Sequence, residues 1–541
     1  GGPDTGEDTL IVIGSSQLYN ATTSMYVATV VVQLWDVSNT SAPVLDKMIQ
    51  LEGQYATARL LNGRVYIVTR MVPQWTYLNR KKTLGRCAAL FRDMTAAAAR
   101  TAQTRAMEPL LPVMPCNEVG LVEGLGTAQE LMSIISVDIS RAATRSYGAY
   151  TVVTHAGRAA TVYVSQENIY VAATNYNYNR PAPQEEGDEA VEGDEKAKPQ
   201  YGVWSVILKF SIKSGTPTFA ALTQLPGSII NQFAMDEYLG NLRVATSSGE
   251  MWARPPTSQS HLFVLDPSLL LTGSIAGIAP GERIYSVRFM GARGYLVTYR
   301  QVDPFFVFDL SVASVPTMLG YLKIPGYSDY LHPMDSNHML GVGMDTEEDQ
   351  GRVLRKGVKL SLFDVSDPEN PQEEAVLLLG DQGSSTEVSY EHKAFTFHPA
   401  TGLLVLPVDL HQVESCKERT PGGSCPNAAR ESYTPSTFQG AYVIYMSKDE
   451  QGKTLLKVHG RVTHERDDAG ADAADTTRVF WGGWGGWRQS LRRVYRSVYM
   501  DGLLYTFSDR QVQVHKLESM MKAIVINITS PTCLSPKVWA E

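Results

Sequence analysis

The sequence has no long apolar run and no excess of basic charge. Its longest apolar stretch, residues 27–35, is far shorter than the roughly 20 residues that a membrane-spanning helix needs. The 48 Lys and Arg residues are outnumbered by 56 Asp and Glu residues, and the net charge is −8. A nucleic-acid-binding protein would show a basic face instead. The composition therefore argues against a membrane span and a nucleic-acid partner, while 43% hydrophobic residues exclude a chain that is disordered throughout.

Familiar catalytic and cofactor-binding motifs are missing as well. No nucleophile elbow, phosphate-binding loop or dinucleotide fingerprint occurs in the strand–turn–helix setting that each requires. The ligand spacing of an EF-hand is also absent. The sequence therefore names no catalytic residue, and a non-enzymatic role is the better prediction.

Cysteine is scarce, and its count of five is odd. Cys416 and Cys425 bracket a turn-rich octapeptide, and Cys87 and Cys116 bracket a second candidate loop. None forms a CxxC pair near a histidine, so a zinc site is a weak interpretation. We predict the disulfides Cys416–Cys425 and Cys87–Cys116, which would require an oxidising compartment; five unbridged thiols are the alternative. Cys533 is then either a buried thiol or the link to another chain.

Three N-glycosylation sequons agree with a secreted or cell-surface protein. They begin at Asn20, Asn39 and Asn527, and each is a glycan candidate if the source is eukaryotic. No signal peptide is visible at the first residues, so we expect a mature product or a fragment.

Helical periodicity is nearly absent, and short β-type runs recur from end to end. Many runs end in Asp-x-Ser, often followed by Pro, a combination that suits the corner between two antiparallel strands. This phrase begins at Asp36, Asp138, Asp309 and Asp364. A second phrase is a hairpin with a turn such as Asn62-Gly63 or Asp501-Gly502, where both central positions need positive φ.

Paired, the two phrases describe a unit of four antiparallel strands, the blade of a β-propeller. We predict one all-β domain over residues 1–541 with eight blades, or seven if two units merge. The units cover about residues 9–53, 54–157, 158–231, 232–284, 285–327, 328–386, 387–463 and 488–530.

The remaining residues fall into four predicted insertions. They lie at about residues 71–128, 174–202, 411–436 and 464–487. The first contains an Ala-rich stretch, residues 94–107, which is the one convincing helix. The second contains the acidic run of residues 185–195, which reads as a solvated loop.

Several longer phrases of the sequence are more specific than the repeated turns. They are MDEY (235–238), LRVAT (242–246), PGERIYSVRFMG (280–291), VDPF (302–305), IPGYSDYLHP (324–333), EHKAF (391–395), GRVTH (460–464), RSVY (496–499) and LY (504–505). These phrases resemble one known family, the secreted β-propeller proteins of bacteria and archaea. The resemblance covers about residues 45–520 and implies a β-propeller. It implies little about activity, because the family carries no single established one.

The best candidate ligand set is positional. His332, Asp335, Glu391 and His392 fall in or before the first strands of two consecutive blades, where side chains from different blades converge on the central channel. Two imidazoles with carboxylates suit a transition metal or Ca²⁺. The alternative is that these groups pair with one another and with water. Further polar residues at comparable places are Asp236, Glu237, Arg243, Glu282, Arg283 and Arg288.

A cluster of tryptophans with glycine spacers, Trp481, Trp484 and Trp487, is unusual for a loop. Exposed tryptophans form protein or glycan contacts, whereas folded-back rings would cover outer strands. Together these features predict an extracellular, non-enzymatic interaction or scaffold protein in a larger assembly. The alternative is a secreted metal-dependent enzyme or ligand binder that uses the channel around His332 and His392.

The first unit is short of one strand phrase. Residues 9–15, 29–38 and 43–51 supply a second, third and fourth strand, and residues 1–8 read as an arm. We therefore expect the first strand of this blade to come from elsewhere. The donor would be an upstream segment or a separate chain, or alternatively the tail around residues 535–540.

Overall fold

The structure is a computed structural model. It describes residues 8–20, 25–71, 75–78, 81–84, 89–95, 111–112, 114–115, 118–120, 130–140, 150–156, 160–177, 202–299, 303–349, 352–412, 437–465, 476–479 and 487–528. The chain divides into two compact units, residues 1–280 and 281–541, and each is described by itself.

The first unit consists mainly of β-strands, and a short 3-10 turn at Gln232–Ala234 precedes its last four strands. Its strands are β1 (Thr9–Asn20), β2 (Met25–Asp36), β3 (Val44–Glu52), β4 (Gln54–Leu61), β5 (Arg64–Met71), β6 (Trp75–Leu78), β7 (Lys81–Leu84), β8 (Leu90–Thr95), β9 (Leu111–Pro112), β10 (Leu131–Asp138), β11 (Tyr150–Ala156), β12 (Thr161–Val164), β13 (Asn168–Asn177), β14 (Gly202–Ser211), β15 (Thr218–Pro226), β16 (Met235–Tyr238), β17 (Asn241–Ser248), β18 (Gln259–Leu265) and β19 (Leu271–Ile278).

These strands form four blades and one small ribbon. Blade one has the order β1-β2-β3-β8-β9, and blade two the order β4-β5-β10-β11. Blade three is β12-β13-β14-β15, and blade four is β16-β17-β18-β19. The pair β6-β7 is a separate ribbon.

The second unit has two 3-10 turns, Glu387–Ser389 and His392–Ala394, among its described residues. Its strands are β20 (Arg283–Met290), β21 (Arg293–Tyr299), β22 (Asp303–Asp309), β23 (Thr317–Ile324), β24 (Tyr327–Pro333), β25 (His338–Asp349), β26 (Arg352–Asp364), β27 (Gln372–Leu379), β28 (Ser385–Thr386), β29 (Thr396–His398), β30 (Leu403–Leu410), β31 (Phe438–Lys448), β32 (Thr454–Val462), β33 (Thr476–Val479), β34 (Trp487–Ser490), β35 (Arg496–Met500), β36 (Leu503–Phe507), β37 (Gln511–Lys516) and β38 (Lys522–Asn527).

These strands form four more blades. Blade five is β20 to β23, blade six is β24 to β27, and blade eight is β35 to β38, each in chain order. Blade seven has the order β28-β30-β31-β32, with β29 also paired to β30, so its first strand is split in two. The pair β33-β34 is a ribbon between blades seven and eight. The prediction of an all-β chain with eight blades is confirmed.

The two sequence phrases form the turns that they predict. Asn62 and Gly63 have φ of 50° and 70°, and Asp501 and Gly502 have 50° and 76°, as a tight hairpin between a first and a second strand requires. At the corner that follows the third strand of blades two, four, five and six, and β2 of blade one, the Asp side chain accepts a hydrogen bond from the backbone amide two residues later. In these hydrogen bonds the amide of Ser38 donates to Asp36 (2.9 Å), that of Ser140 to Asp138 (2.9 Å), that of Ser268 to Asp266 (2.8 Å), that of Ser311 to Asp309 (2.8 Å) and that of Ser366 to Asp364 (2.9 Å).

Within each unit, neighbouring blades pack face to face through alternating apolar side chains. In the first unit, Val68 and Ile134 of blade two share a core with Ile169 of blade three. In the second unit, Phe305 of blade five stacks on Phe363 of blade six, with ring centroids 4.4 Å apart. Burial of such faces is the main favourable contribution to folding.

One prediction about the first insertion is wrong in part. Met94 and Thr95 do not begin a helix, because they end β8, which pairs with β3 at the outer edge of blade one. Lys47 of β3 and Asp93 of β8 form a buried ion pair that fixes this contact. Residues 96–107, the rest of the predicted helix, lie outside the described residues, as does the acidic run.

Candidate functional site

Each blade has two different ends. Its strands follow one another antiparallel in chain order, so the connection from the second to the third strand lies at the end where the first strand begins. The connection that leaves the fourth strand lies at that same end. We call it the insertion end. We call the opposite end of the blade the corner end, and it carries the two-residue hairpins and the Asp-x-Ser corners.

All four predicted insertions leave their own blades at the insertion end. The insertions near 71–128, 174–202 and 411–436 separate β5 from β10, β13 from β14, and β30 from β31, which are second and third strands in each case. The insertion at 464–487 follows β32, the fourth strand of blade seven. The phrases of the sequence predict the insertions but not the end of its own blade at which each one leaves.

The insertion end of blade four presents an exposed tryptophan. Trp252, in the connection between β17 and β18, is 87% exposed. The base of its loop is closed by two hydrogen bonds: the amide of Glu250 donates to Thr257 Oγ1 at 3.1 Å, and the amide of Thr257 donates to the carbonyl of Glu250 at 3.0 Å. Gly249 precedes them at φ +74°, where an added Cβ would meet the carbonyl oxygen of Thr257. Trp252 thus projects from a loop of defined geometry.

Most of the predicted tryptophan and cysteine features fall outside the described residues. Trp481 and Trp484 lie there, as do Cys87, Cys116, Cys416, Cys425 and Cys533. Trp487 begins β34, which pairs with β33, so part of the predicted loop is a ribbon. The two disulfides remain predictions.

The three sequons lie on or beside strands of blades one and eight. Asn20 ends β1, and Asn527 is exposed at the end of β38. Asn39 is exposed at the first Asp-x-Ser corner, where its side chain accepts a hydrogen bond from the amide of Ser41 at 3.1 Å. Glycosylation stays a prediction.

His332 lies in β24 among aromatic rings. Its Nδ1 is 2.9 Å from the hydroxyl of Tyr330, and its ring centroid is 4.9 Å from that of Phe395 and 5.3 Å from that of Phe397. Burial, with a smaller contribution from the charge of Arg288, lowers the pKa of His332 to about 4. The imidazole is therefore neutral at neutral pH and packed as an aromatic side chain.

The carboxylates of Asp335 and Glu391 each accept hydrogen bonds from backbone amides of a local turn. Asp335 accepts hydrogen bonds from the amides of Asn337 (2.7 Å) and His338 (2.9 Å) and lies 2.9 Å from His338 Nδ1. Burial alone would raise the pKa of Asp335, but these bonds lower it. Glu391 begins the 3-10 turn at His392 by accepting a hydrogen bond from the amide of Lys393 at 3.1 Å.

These four residues do not form one ligand set. Glu391 Oε1 lies 3.4 Å from His392 Nδ1, and His332 lies in its aromatic surroundings. In the part of the chain that the structure describes, no group of three or more His, Cys, Asp and Glu side chains is arranged to hold a metal ion.

The acidic residues of β16 are held by neighbouring strands. The carboxylate of Glu237 accepts hydrogen bonds from Ser165 Oγ (2.7 Å), Asn168 Nδ2 (2.9 Å) and the Tyr170 hydroxyl (2.8 Å), all from blade three. Asp236 forms an ion pair with the buried Arg243 of β17. This arrangement joins blades three and four, as the pairing alternative expects.

Two titratable residues were missed by reasoning from sequence. Asp329 lies at an irregularity in the register of β24, and burial raises its pKa to about 6 against opposing effects of Ser389 and Arg355. His464, 1% exposed, lies 2.8 Å from Ser508 Oγ and 2.9 Å from Thr506 Oγ1, and burial lowers its pKa to about 4. No local sequence signal marks either residue, since both shifts arise from tertiary burial.

Comparison with known proteins agrees with this architecture. A family model described as the beta propeller domain matches residues 6–520. The chain belongs to this β-propeller family. Among the described residues, no helix is both long and apolar enough to cross a membrane.

Two archaeal relatives share part of the sequence. An uncharacterized protein of Methanocaldococcus jannaschii is 44% identical over 164 residues, which are 30% of this chain and 24% of the relative. An uncharacterized protein of Archaeoglobus fulgidus is 43% identical over 201 residues, which are 37% of this chain and 29% of the relative. The matched segments thus span less than a third of the relatives' own lengths.

Solved structures with a weak overall likeness include two proteins at 9% identity. Apo AztD from Citrobacter koseri is matched over 96% of this chain and 95% of its own, with a TM-score of 0.36. The C-terminal WD40 domain of Sif2 is matched over 61% of this chain and 70% of its own, with a TM-score of 0.29. These values are too low to support an inference about function.

Proposed function

We propose that this protein is an extracellular, non-enzymatic interaction module that holds its protein partners at the insertion end of its blades. The observation that carries the proposal is that all four insertions leave their own sheets at that end. Long connections on a rigid β-scaffold are the usual carriers of recognition.

The chemistry of that end suits protein partners. Trp252 is an exposed aromatic anchor on a loop with a hydrogen-bonded base, and tryptophan is enriched among residues that dominate binding energy. The acidic run of residues 185–195 belongs to a connection that leaves the insertion end of blade three, and the Gly-spaced tryptophans belong to one that leaves the insertion end of blade seven. The sequons support an extracellular location.

Site-specific photocrosslinking in the source organism tests the proposal. A photoreactive amino acid replaces Trp252 at the insertion end of blade four, or Val315 at the corner end of blade five. Val315 is a matched control because it is an exposed apolar residue, at 61%. We expect a discrete protein adduct at position 252 and none at 315. Adducts at 315 alone, or at neither position, would overturn the proposal.

Elemental analysis tests the alternative of a metal-dependent enzyme or ligand binder. We expect the purified protein to contain no stoichiometric transition metal. A stoichiometric metal that disappears from the double variant His332→Ala/His392→Ala would overturn the non-enzymatic proposal.

A further inference from the structure

The first strand of blade seven is interrupted in its middle. Thr386 of β28 pairs with Val408 of β30, and the next paired residue of this strand, Thr396 of β29, is opposite Val405. Residues 387–395 therefore stand opposite only residues 406 and 407 of β30. The chain leaves the sheet over this stretch and then returns to it. We call residues 387–395 the excursion.

Pro407 accounts for the point at which the first strand leaves β30. The carbonyl of Pro407 lies on the side of the first strand, since Thr386 Oγ1 donates a hydrogen bond to it at 2.7 Å. In an antiparallel pair the carbonyl and the amide of one residue point to the same neighbouring strand, and proline has no amide hydrogen. At Pro407 the second strand therefore cannot donate a ladder hydrogen bond to the first strand, which is less firmly held there.

The excursion has a defined structure of its own. The amides of Tyr390 and Glu391 donate to the carbonyl of Glu387 at 3.0 and 2.9 Å, and the amide of Ala394 donates to the carbonyl of Glu391 at 2.9 Å. The side chain of Glu387 also forms an ion pair with Arg493 at 3.2 Å. Because these backbone hydrogen bonds exist only when the excursion is folded, the three donating amides report its opening.

One contact places the excursion against a carboxyl group of blade six. The side chain of Ser389 donates a hydrogen bond to Asp329 of β24. Asp329 is the extra residue of a bulge, because the register between β24 and β25 shifts between Ser328 and Tyr330. Burial raises the pKa of Asp329 to about 6, against the opposing effects of Ser389 and Arg355. The carboxyl group that contacts the excursion is thus the one that resists ionisation.

Other titratable side chains on the elements around Asp329 contact other groups. Among the described residues, Arg355 is the one charged side chain that acts on Asp329. The others, in chain order, are Tyr285 and Tyr299 against the ring of Tyr327, Arg288 donating to the carbonyl of Leu331 (2.8 Å), His338 beside Asp335 (2.9 Å), Glu387 paired with Arg493 (3.2 Å) and Glu391 at 3.4 Å from His392. The titration of Asp329 therefore bears most directly on the contact between blade six and the excursion.

We propose that the excursion is a pH-sensitive latch, which is closed against blade six while the Asp329 carboxyl is protonated and opens locally as that carboxyl ionises. Closing buries the carboxyl beside the 3-10 turn at Glu387–Ser389, and burial disfavours the charged form. Opening returns the carboxylate to water. The closed state binds the proton more tightly than the open state, so its advantage is full below pH 3.8 and is lost as the pH rises through about 6.

Amide hydrogen exchange of the purified protein tests the latch, with rates expressed as protection factors so that the intrinsic pH dependence of exchange is removed. Between about pH 4.5 and pH 7 we expect the amides of Tyr390, Glu391 and Ala394 to lose about twentyfold of their protection. The 3-10 turn at Gln232–Ala234 is the matched control, because it also adjoins the first strand of a blade. Protection of its Ala234 amide, which donates to the carbonyl of Asn231 at 3.2 Å, should stay constant.

Two variants assign the pH dependence to one group. Asp329→Asn keeps an acceptor for Ser389 but does not ionise, so protection of the excursion should no longer change with pH. His392→Gln removes the imidazole of the excursion, which titrates in the same range, and should behave as the parent does. Constant protection in the parent, a pH dependence that persists in Asp329→Asn, or one that disappears in His392→Gln would overturn the proposal.

A third variant keeps the test decisive if Asp329→Asn does not fold. Ser389→Ala deletes the hydroxyl group that lowers the pKa of Asp329, so the loss of protection should move to higher pH. A midpoint that stays in place or moves to lower pH would overturn the latch.

Discussion

Lys47 Nζ lies 3.1 Å from the carboxylate of Asp93, and both side chains are buried, at 1% and 0% exposure. Lys47 belongs to β3 and Asp93 to β8, so the ion pair fixes part of the first insertion to the outer edge of blade one. Glu52 strengthens the same contact by accepting a hydrogen bond from the amide of Leu90 at 3.0 Å.

Removing one member of this pair should destabilise the protein strongly. In Asp93→Leu the ammonium of Lys47 stays buried without its counter-charge, at a cost of about 3 kcal/mol in the free energy of unfolding. The double variant Lys47→Met/Asp93→Leu should regain most of that loss. Denaturant unfolding measures both. The exposed pair Lys213–Glu167 is the control, and Glu167→Gln should have no measurable effect. Equal losses in the single and double variants would contradict the assignment.

The Glu237 carboxylate should be important for the contact between blades three and four. Replacement by alanine leaves three donors, from Ser165, Asn168 and Tyr170, without their acceptor, and we expect a loss of about 2–4 kcal/mol. Glutamine retains one carbonyl acceptor and should cost less. Thermal unfolding gives the ranking, and hydrogen exchange should show faster exchange in β12 and β13. Unchanged exchange there would argue against a joining role.

Asp329 should make stability fall as the pH rises. Its pKa is raised from 3.8 to about 6, so the folded state favours the protonated acid. Its contribution is full below 3.8 and is lost as the pH rises through about 6. We expect Asp329→Asn to gain about 1–3 kcal/mol relative to the parent between about pH 4 and pH 7. A pH-independent difference between the two proteins would rule out this ionisation.

His464 should make the stability of the protein fall as the pH falls. Its pKa is lowered from 6.5 to about 4, so the folded state favours the neutral imidazole. Its contribution is full above 6.5 and is lost as the pH falls through about 4. His464→Gln can still bond Ser508 and Thr506 but does not titrate, and its unfolding midpoint should vary less with pH over this interval. A parallel shift of both pH profiles would count against the prediction.

Much of the fold was predictable because the turns are local. The Asn62-Gly63 and Asp501-Gly502 hairpins need only two residues in positive φ, and the corners need only an Asp side chain near the next amides. Because these turn sequences recur with the blades, counting them predicted eight units. Strand β8 was missed because its pairing with β3 joins residues that are distant in sequence.

The candidate site was less predictable. His332 and Asp335 are close in sequence, but one is packed among aromatic rings and the other closes a turn. Histidine and carboxylate at nearby positions indicate a ligand set only when their side chains converge, and direction is decided by packing. Trp252 is likewise a candidate binding residue because its side chain is 87% exposed, which only the folded structure shows.

The sequence by itself determined the strand-and-turn unit and its eightfold repetition. Each of these follows from the conformations that a few adjacent residues allow. Only the tertiary structure decided at which end of its own blade each insertion leaves, that the pKa values of Asp329 and His464 are shifted in opposite directions, and that β8 pairs with β3. Those properties depend on burial and on strand direction, which arise only when segments far apart in the chain pack together.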